Sequence, residues 1–180
     1  KLLQSIEELK HIHEMITRFK QYTNEALTVD YDEIKIVHFN KSNLILSANL
    51  ENSTSKDFAG FMNDYTSFIE NNQVMTGEFV GIMTKIENIY KNQTANYSYL
   101  FTTTSHLGPN TFEKKAGNYL CGYHHGNYDG LNDSYQRIIQ YADAHQIKLG
   151  KYAYEEYIIF DISEASPDNY LTRITIELEQ

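Results

Sequence analysis

Apolar residues recur at helical spacing along the first 20 residues of the chain. The intervals are three and four residues, the repeat that marks one face of an α-helix. The main stripe, which includes one histidine, is Leu2, Ile6, Leu9, His13 and Ile16, and Leu3, Ile12 and Phe19 widen it. A terminal helix with apolar residues on more than one stripe needs additional surface to cover them. The pattern predicts a coiled-coil-type helix that lies on its own domain or, as we favour, pairs with a second subunit.

Beyond Tyr31 the pattern changes several times between the two-residue period of strands and the longer period of helices. A helix is predicted around Phe61 and Phe68, and another over Leu131 to Ala142. The predicted strands are residues 34–39, 44–50, 78–90 and 97–104 in the first half, and 112–124, 152–162 and 170–179 in the second. Both halves therefore read as strand, helix, strand, strand. The chain is predicted to be an α+β protein built from a duplicated unit.

A displacement of about 77 residues brings the two halves into register. It places Phe61 on Ile138 and Glu78 on Glu155, and the run from Gly108 to Asn110 is the clearest break between the halves. We assign residues 1–28 to a linker and dimerisation helix and residues 29–180 to one domain of two pseudo-repeats, about 31–107 and 109–180. Two such units that pair their sheets would leave a groove where they meet.

Composition excludes several classes of protein. The 180 residues include 24 acidic and 15 basic side chains, and the formal net charge of -9 has the wrong sign for gripping a phosphate backbone. Cys121 is the single cysteine, so no intramolecular disulfide can form. No apolar run approaches the roughly 20 residues that cross a bilayer. These features favour a cytoplasmic protein whose own residues contact neither DNA nor a membrane.

Two adjacent glutamates, Glu155 and Glu156, lie in a tyrosine-rich predicted strand. Burying a carboxylate without a partner costs several kcal/mol or raises its pKa, so such a group is expected to bind something. Neighbours on a strand point to opposite faces, and only one of the two can enter a pocket. We choose Glu155 because Tyr157 then shares its face and because the internal register relates it to Glu78. A slip of one residue would exchange the two glutamates.

Aromatic residues could complete a site for a cation. Rings around a carboxylate attract a delocalised cation, at about 0.5 to 2 kcal/mol per ring. The chain has 15 tyrosines and no tryptophan. Tyr119 and Tyr123 share one face of a predicted strand, and Tyr99 and Phe101 share a face of another. We predict that these four line the pocket, with core packing as the alternative for each.

Other chemistry is poorly supported. His124 and His125 are adjacent on a predicted strand and point to opposite sides, so they do not form a metal site. Cys121 lies in an apolar strand, which indicates a small buried residue and not a nucleophile. The glycines near it follow no phosphate-binding pattern. No metal and no cofactor is predicted.

The final third of the chain resembles a known family. Its motifs are Gly117-Asn118-Tyr119, Gly126-Asn127-Tyr128, Leu131, Tyr135, Glu155-Glu156-Tyr157 and Thr172-Arg173-Ile174-Thr175-Ile176. They resemble the GyrI-like ligand-binding domain, which closes with a glycine-tyrosine turn before a helix, a Glu-x-Tyr strand and a Thr-x-Ile strand. The N-terminal helix that runs into Ile34-Lys35-Ile36 is similar to the join between the coiled-coil linker and the effector domain of MerR-type multidrug-responsive transcription regulators.

The resemblance implies a duplicated α+β effector domain that binds amphipathic, often cationic, drug-like molecules between aromatic walls and a buried glutamate. That glutamate would be Glu155, with Tyr157 beside it. The resemblance also implies a homodimer through the N-terminal helix, and DNA contact only through a winged-helix domain that is absent ahead of Lys1. Two alternatives remain: a small hydrolase with Glu155 as general base, or a domain that sequesters drugs without signalling.

Overall fold

The computed structural model describes residues 2–51, 58–72, 79–104, 111–160 and 163–179. Within these ranges the helices are α1 (Leu2–Thr28), α2 (Phe58–Asn72), α3 (Ile86–Tyr90) and α4 (Leu131–Ala144). The strands are β1 (Lys35–Phe39), β2 (Ser42–Leu46), β3 (Gly81–Lys85), β4 (Tyr99–Thr104), β5 (Thr111–Lys114), β6 (Gly117–His125), β7 (Leu149–Ile159) and β8 (Leu171–Leu178). Short 3-10 turns at Tyr128–Gly130 and Pro167–Asn169 precede α4 and β8.

The eight strands form one sheet in the order β1-β6-β8-β7-β3-β4-β2-β5, and every neighbouring pair is antiparallel. Along the chain the same strand-helix-strand-strand unit occurs twice, as β2-α2-β3-β4 in the first half and as β6-α4-β7-β8 in the second. The units meet in the middle of the sheet, where β3 pairs with β7. The predicted α+β fold with a duplicated strand-helix-strand-strand unit is therefore confirmed.

Each of the two outermost strands pairs with the half of the sheet that is formed by the other half of the chain. β1 precedes the first unit but pairs with β6, and β5 precedes the second unit but pairs with β2. Only residues 115 and 116 separate β5 from β6, although these strands lie near opposite ends of the order. So short a connection spans roughly 10 Å at most. The sheet must therefore curl until its two ends approach each other.

Curling gives the sheet an inner and an outer face. On the inner face, Lys114 from one edge strand lies 5.3 Å from the ring centroid of Phe39 on the other edge strand. The outer face carries α2, α3 and α4: Ile138 of α4 packs on Leu120 and Ile174, and Phe68 of α2 packs on Leu100. The inner face is aromatic, with Tyr119, Tyr154 and Phe101 in one cluster.

Three predicted strands differ from the observed elements. The strand predicted at 78–90 ends at Lys85, and the next five residues form α3, whose Ile89 is fully buried among α4 residues. The strand predicted at 112–124 is two strands, β5 and β6, because the chain passes there from one edge of the curled sheet to the other. The strand predicted at 44–50 ends at Leu46. In the first two cases a tertiary contact decides where the element ends, and the local pattern does not contain that contact.

Helix α1 is longer than its apolar stripe, and its two ends have different surroundings. Near its C-terminal end Tyr22 is buried against Cys121 and Tyr123 of the inner face. Towards the N-terminus Leu9 and Ile16 are 66% and 63% exposed. None of the helices in the described residues is long and apolar enough to cross a membrane.

Candidate ligand-binding site

Glu155 lies at the centre of the sheet, on the outer face of β7. It pairs with Ile82 of β3 on one side and with Ile174 of β8 on the other, and its side chain is only 2% exposed. Tyr135 of α4 donates a hydrogen bond to Glu155 Oε1 at 2.7 Å, and Tyr157 donates one to Oε2 at 3.1 Å. In the described part of the chain, no lysine, arginine or histidine forms an ion pair with this carboxylate.

The surroundings of Glu155 disfavour its charge. Burial raises the pKa of Glu155 to about 7, and the two tyrosine hydrogen bonds offset only part of that rise. Burial also raises the pKa values of Tyr135 and Tyr157, so both hydroxyls stay protonated and act as donors. At neutral pH the carboxyl group is therefore close to the midpoint of its titration. A cation placed beside it would stabilise the ionised form.

Glu156, the next residue, lies on the inner face with cationic partners. Its Oε2 is 3.1 Å from Arg173 Nη2 and 3.8 Å from Lys114 Nζ, and Tyr22 donates a hydrogen bond to Oε1 at 3.3 Å. Burial alone would raise the pKa of Glu156, but Arg173, Lys114 and these hydrogen bonds together lower it to about 2. Glu156 is thus a compensated anion. Strand alternation directs the two glutamates to opposite faces. Of the two, Glu155 is the one without a countercharge among the described residues.

Arg173 connects Glu156 to the N-terminal helix. Its Nη1 lies 2.6 Å and 2.9 Å from the two carboxylate oxygens of Glu25 on α1, and Tyr123 donates a hydrogen bond to Glu25 at 2.7 Å. We call Tyr22, Glu25, Tyr123, Glu156 and Arg173 the α1 anchor. Sequence reasoning missed Glu25 and the role of Arg173, since the two residues are 148 positions apart. No local pattern could have related them.

The aromatic cluster of the inner face encloses a cation from the chain itself. Lys114 Nζ lies 4.3 Å from the ring centroid of Tyr154, 5.1 Å from that of Tyr119 and 5.3 Å from that of Phe39. The lysine is 6% exposed, and burial lowers its pKa. These distances are within the range of cation-π interactions. Of the rings that sequence reasoning assigned to a ligand, Tyr119 thus already contacts an ammonium group of the chain itself.

The structure divides the predicted site residues between the two faces. Tyr119 and Tyr123 on β6, with Tyr99 and Phe101 on β4, belong to the inner-face clusters. Glu155 and Tyr157 lie on the outer face, and Glu78 falls outside the described residues. The six described residues therefore do not line a single pocket, because strand alternation directs the four inner-face rings away from Glu155 and Tyr157. A role of the four inner-face rings in ligand binding stays a prediction.

The aromatic neighbours of Glu155 come from other parts of the chain. Tyr135 lies in the helix predicted over Leu131 to Ala142, and its helical spacing alone does not indicate a role in the site. It is fully buried and bonded to the carboxylate. Tyr128 packs edge-on against Tyr157 at a centroid distance of 5.5 Å. A tyrosine in a fully buried helical stripe was the available signal, since a buried hydroxyl needs a polar partner.

Two cavities border the inner face, and neither is lined by Glu155. One of about 190 Å³ is lined by Tyr119, Gly150 and Glu177 among others, and a smaller one of about 10 Å³ includes Tyr22, Glu156 and Tyr157. Across the ranges covered by the structure, no group of histidine, cysteine or acidic residues could hold a metal ion.

Comparison with known families identifies the domain that contains the sheet. The model of the GyrI-like small molecule binding domain matches residues 32–179. The chain belongs to the GyrI-like family. The match begins just before β1 and ends after β8, so this GyrI-like domain comprises the whole sheet, and α1 precedes it.

Relatives of this GyrI-like domain include transcription regulators. The multidrug-efflux transporter 2 regulator of Bacillus subtilis (strain 168) is 22% identical over 179 residues, which are 98% of this chain and 65% of the regulator. This chain therefore spans less than two thirds of that protein. The structure of EcmrR in its complex with DNA has a TM-score of 0.62 at 14% identity, with 99% of this chain and 69% of EcmrR aligned.

Two further solved structures have the same fold. SAV2435 bound to tetraphenylphosphonium has a TM-score of 0.53 at 12% identity, over 82% of this chain and 94% of SAV2435. A hydrolase from Listeria innocua has a TM-score of 0.51 at 8% identity, over 89% of this chain and 98% of the hydrolase. At these identities the likeness concerns the fold alone. The GyrI-like fold is thus found in both binding proteins and a hydrolase.

Proposed function

We propose that this domain binds lipophilic cations at Glu155 and serves as the ligand sensor of a transcription regulator. The observation that carries the proposal is the contrast between two adjacent buried carboxylates. Glu156 has Arg173 and Lys114 within 4 Å, whereas the partners of Glu155 among the described residues are the hydroxyls of Tyr135 and Tyr157. An uncompensated charge in a low-dielectric interior is costly, and a bound cation removes that cost.

The residues around Glu155 suit a large organic cation. Tyr135 and Tyr157 contact the carboxylate through their hydroxyls and Tyr128 packs on Tyr157, and aromatic rings attract cations. Phe68 and Tyr97 continue the apolar surroundings under α2. Ring stacking demands little exact geometry, so ligands of similar charge and shape could share the site. The regulator of Bacillus subtilis and the tetraphenylphosphonium complex of SAV2435 support this proposal by analogy.

Titration calorimetry with matched probes tests the site. Tetraphenylphosphonium is the cationic probe, and triphenylphosphine oxide is an uncharged compound of related shape. We expect the wild type to bind the cation, and Glu155→Gln to weaken that binding about tenfold or more, the equivalent of about 1.4 kcal/mol. Glu156→Gln is the matched control, because it removes the neighbouring charge from the opposite face. Equal binding by wild type and Glu155→Gln would show that the glutamate is misassigned, and no binding by either would end the cation proposal.

The pH dependence of cation binding follows from the raised pKa of Glu155. Only the ionised carboxylate attracts the cation fully, so affinity should rise as pH increases from 6 to 8 and level off above the pKa of about 7. Below that pKa the rise approaches about tenfold per pH unit. The same titrations at pH 6, 7 and 8 measure it. Affinity that does not change with pH would mean that another group carries the charge.

Hydrolysis is the second candidate function, and the pKa of Glu155 favours it specifically. A buried carboxyl group with a pKa of about 7 next to the hydroxyl of Tyr157 has the properties of a general base. A panel of activated esters, incubated with wild type and Glu155→Gln, separates the two functions. Product formation that is lost in Glu155→Gln would identify an enzyme. Unchanged esters together with tight cation binding would favour a binding function over hydrolysis.

The N-terminal helix provides the proposed route to DNA. α1 ends in the α1 anchor on the inner face, and the length of the Bacillus subtilis regulator leaves room for a further domain. We propose that α1 pairs with α1 of a second copy and positions the DNA-binding domains of the regulator. Ligand binding would then shift the preferred arrangement of the two subunits.

A further inference from the structure

Hydroxyl groups surround Glu155 on the outer face of the sheet. Tyr135 and Tyr157 each donate their one proton to the carboxylate, and their oxygens keep lone pairs that can accept from a ligand. Two threonines lie on the strands on either side of β7. Thr84 on β3 pairs with Ala153, and Thr172 on β8 pairs with Tyr157. Since Ala153 and Tyr157 are the residues two before and two after Glu155, both threonines share its face.

Both threonine hydroxyls are buried without a partner. Thr84 and Thr172 have no exposed surface, and within the described residues neither Oγ1 has a hydrogen bond. Buried hydroxyls in native proteins are normally bonded, so each exception calls for an explanation. Other described side chains also have a buried polar atom without a hydrogen bond. Thr84 and Thr172 differ from them because they have no exposed surface. Their position on opposite sides of an uncompensated carboxylate connects them with the ligand.

The sheet geometry gives the spacing of the three groups. Each threonine is one strand and two residues away from Glu155, and strands lie about 4.8 Å apart with a rise of about 3.3 Å per residue. The Cα atom of each threonine therefore lies about 8 Å from that of Glu155 along a diagonal of the sheet. The two diagonals run in opposite directions, so Thr84, Glu155 and Thr172 form a line about 16 Å long.

We propose that the site takes elongated cations with a central N–H⁺ group and a hydrogen-bonding group about 8 Å to each side, which pair with Glu155, Thr84 and Thr172. This inference rests on the proposed function and specifies its ligand class. An N–H donor makes a charge-assisted hydrogen bond to the carboxylate, which a fully substituted cation cannot make. A ligand with apolar ends would leave both threonines unbonded, and buried groups left unpaired are the strongest basis for rejecting an analogue.

A pair of equal-sized amines tests the ligand class. Bis(5-hydroxypentyl)amine and dihexylamine have the same number of heavy atoms, and only the first carries a hydroxyl at each end. We expect the wild type to bind the hydroxylated amine about tenfold more tightly, although that amine is the more polar of the two. Bis(3-hydroxypropyl)amine, whose hydroxyls cannot reach the threonines, should show no such advantage.

Isosteric variants assign the preference to the threonines. Thr84→Val combined with Thr172→Val removes both hydroxyls and keeps the side-chain shape, so it should reverse the order of the two amines. Thr84→Ser with Thr172→Ser retains the hydroxyls and should retain the order. Thermal unfolding of each variant confirms that the fold persists, and the serine variant gives a second reading if the valine variant is unstable.

The outcomes distinguish this inference from the proposed function. Equal or tighter binding of dihexylamine by the wild type overturns the inference, and so does a preference that survives in the valine variant. If tetraphenylphosphonium binds and both amines fail, the cation site stands and the ligand class is wrong. If tetraphenylphosphonium and both amines all fail to bind, the proposed function and the inference fail together.

Discussion

Residues 155 and 156 have the same side chain, yet the fold gives them opposite properties. Burial raises the pKa of Glu155 to about 7, whereas Arg173 and Lys114 overcome the effect of burial and lower that of Glu156 to about 2. Strand alternation alone predicts that they face opposite ways. Which of them lacks a cation depends on Arg173 and Lys114, which lie 17 residues after and 42 residues before Glu156 in the chain. Whether a buried carboxylate has a structural role or is available to a ligand therefore depends on which charged groups surround it.

Glu155 should make stability fall as pH rises. Its folded pKa of about 7 exceeds the ordinary value of 4.5, so the folded state holds more protons than the unfolded state between these values. Wild-type stability is then highest below pH 4.5 with respect to this group and decreases until about pH 7. Glu155→Gln should be more stable than the wild type at pH 8.5, by up to about 3 kcal/mol, and about equal near pH 4.5. Urea unfolding at both pH values measures the difference.

Glu156→Gln is the matched comparison, since the sign is reversed. The pKa of Glu156 is lowered, so the stability it contributes is present above pH 4.5 and is lost as pH falls towards 2. Glu156→Gln should therefore be less stable than the wild type at neutral pH. Parallel pH profiles for the two variants would contradict the assignment of the two environments.

Among the elements, the N-terminal helix is held by buried charges as well as apolar contacts, whereas apolar packing holds α4. α4 covers the sheet with Tyr135, Ile138, Ile139 and Ala142, as its stripe predicts. α1 joins the inner face through the α1 anchor, in which Arg173 bridges Glu25 and Glu156. The amphipathic pattern of α1 describes its exposed stripe and does not reveal the anchor. Polar contacts between distant residues have no period, so sequence patterns do not predict them.

Removing the central cation of the α1 anchor should release α1. Arg173→Met leaves Glu25 and Glu156 without their shared partner, and breaking a buried pair in this way costs about 3 to 5 kcal/mol. Urea unfolding should show this loss, and hydrogen exchange should increase for α1 residues near Tyr22. Lys41→Met breaks the exposed pair with Glu113 and serves as the control, with an expected change within about 1 kcal/mol. Equal effects of the two substitutions would refute a stabilising anchor.

At the scale of the whole molecule, α1 has two faces with different neighbours. Tyr22 and Glu25 turn one face towards the sheet. The opposite face carries exposed Leu2, Ile6, Leu9, Ile12 and Ile16. A continuous apolar stripe on the outside of a domain is typical of a contact surface. A second copy of α1 is the partner that we propose, because equivalent stripes are complementary in a two-fold pair.

Charges placed in this stripe should separate the subunits. The double substitution Leu9→Glu with Ile16→Glu sets four carboxylates in the proposed interface of a dimer and should yield monomers. Sedimentation velocity measures the mass of the particle. Lys10→Glu is the control, since Lys10 lies outside the stripe on the helix and should leave the dimer intact. A monomeric wild type across accessible concentrations would exclude self-association through α1 alone.

Local patterns in the sequence predict the α+β class, the duplicated unit, the main helices and the opposite directions of Glu155 and Glu156. These follow from periodicity and strand geometry, which are local and are therefore visible in a single chain. Only the tertiary structure decided that β1 and β5 cross to the other half, that Tyr135 bonds Glu155 and that Lys114 fills the inner cluster of rings. The physical reason is that compensation of a buried charge depends on contacts between residues far apart in sequence, and no local pattern contains them.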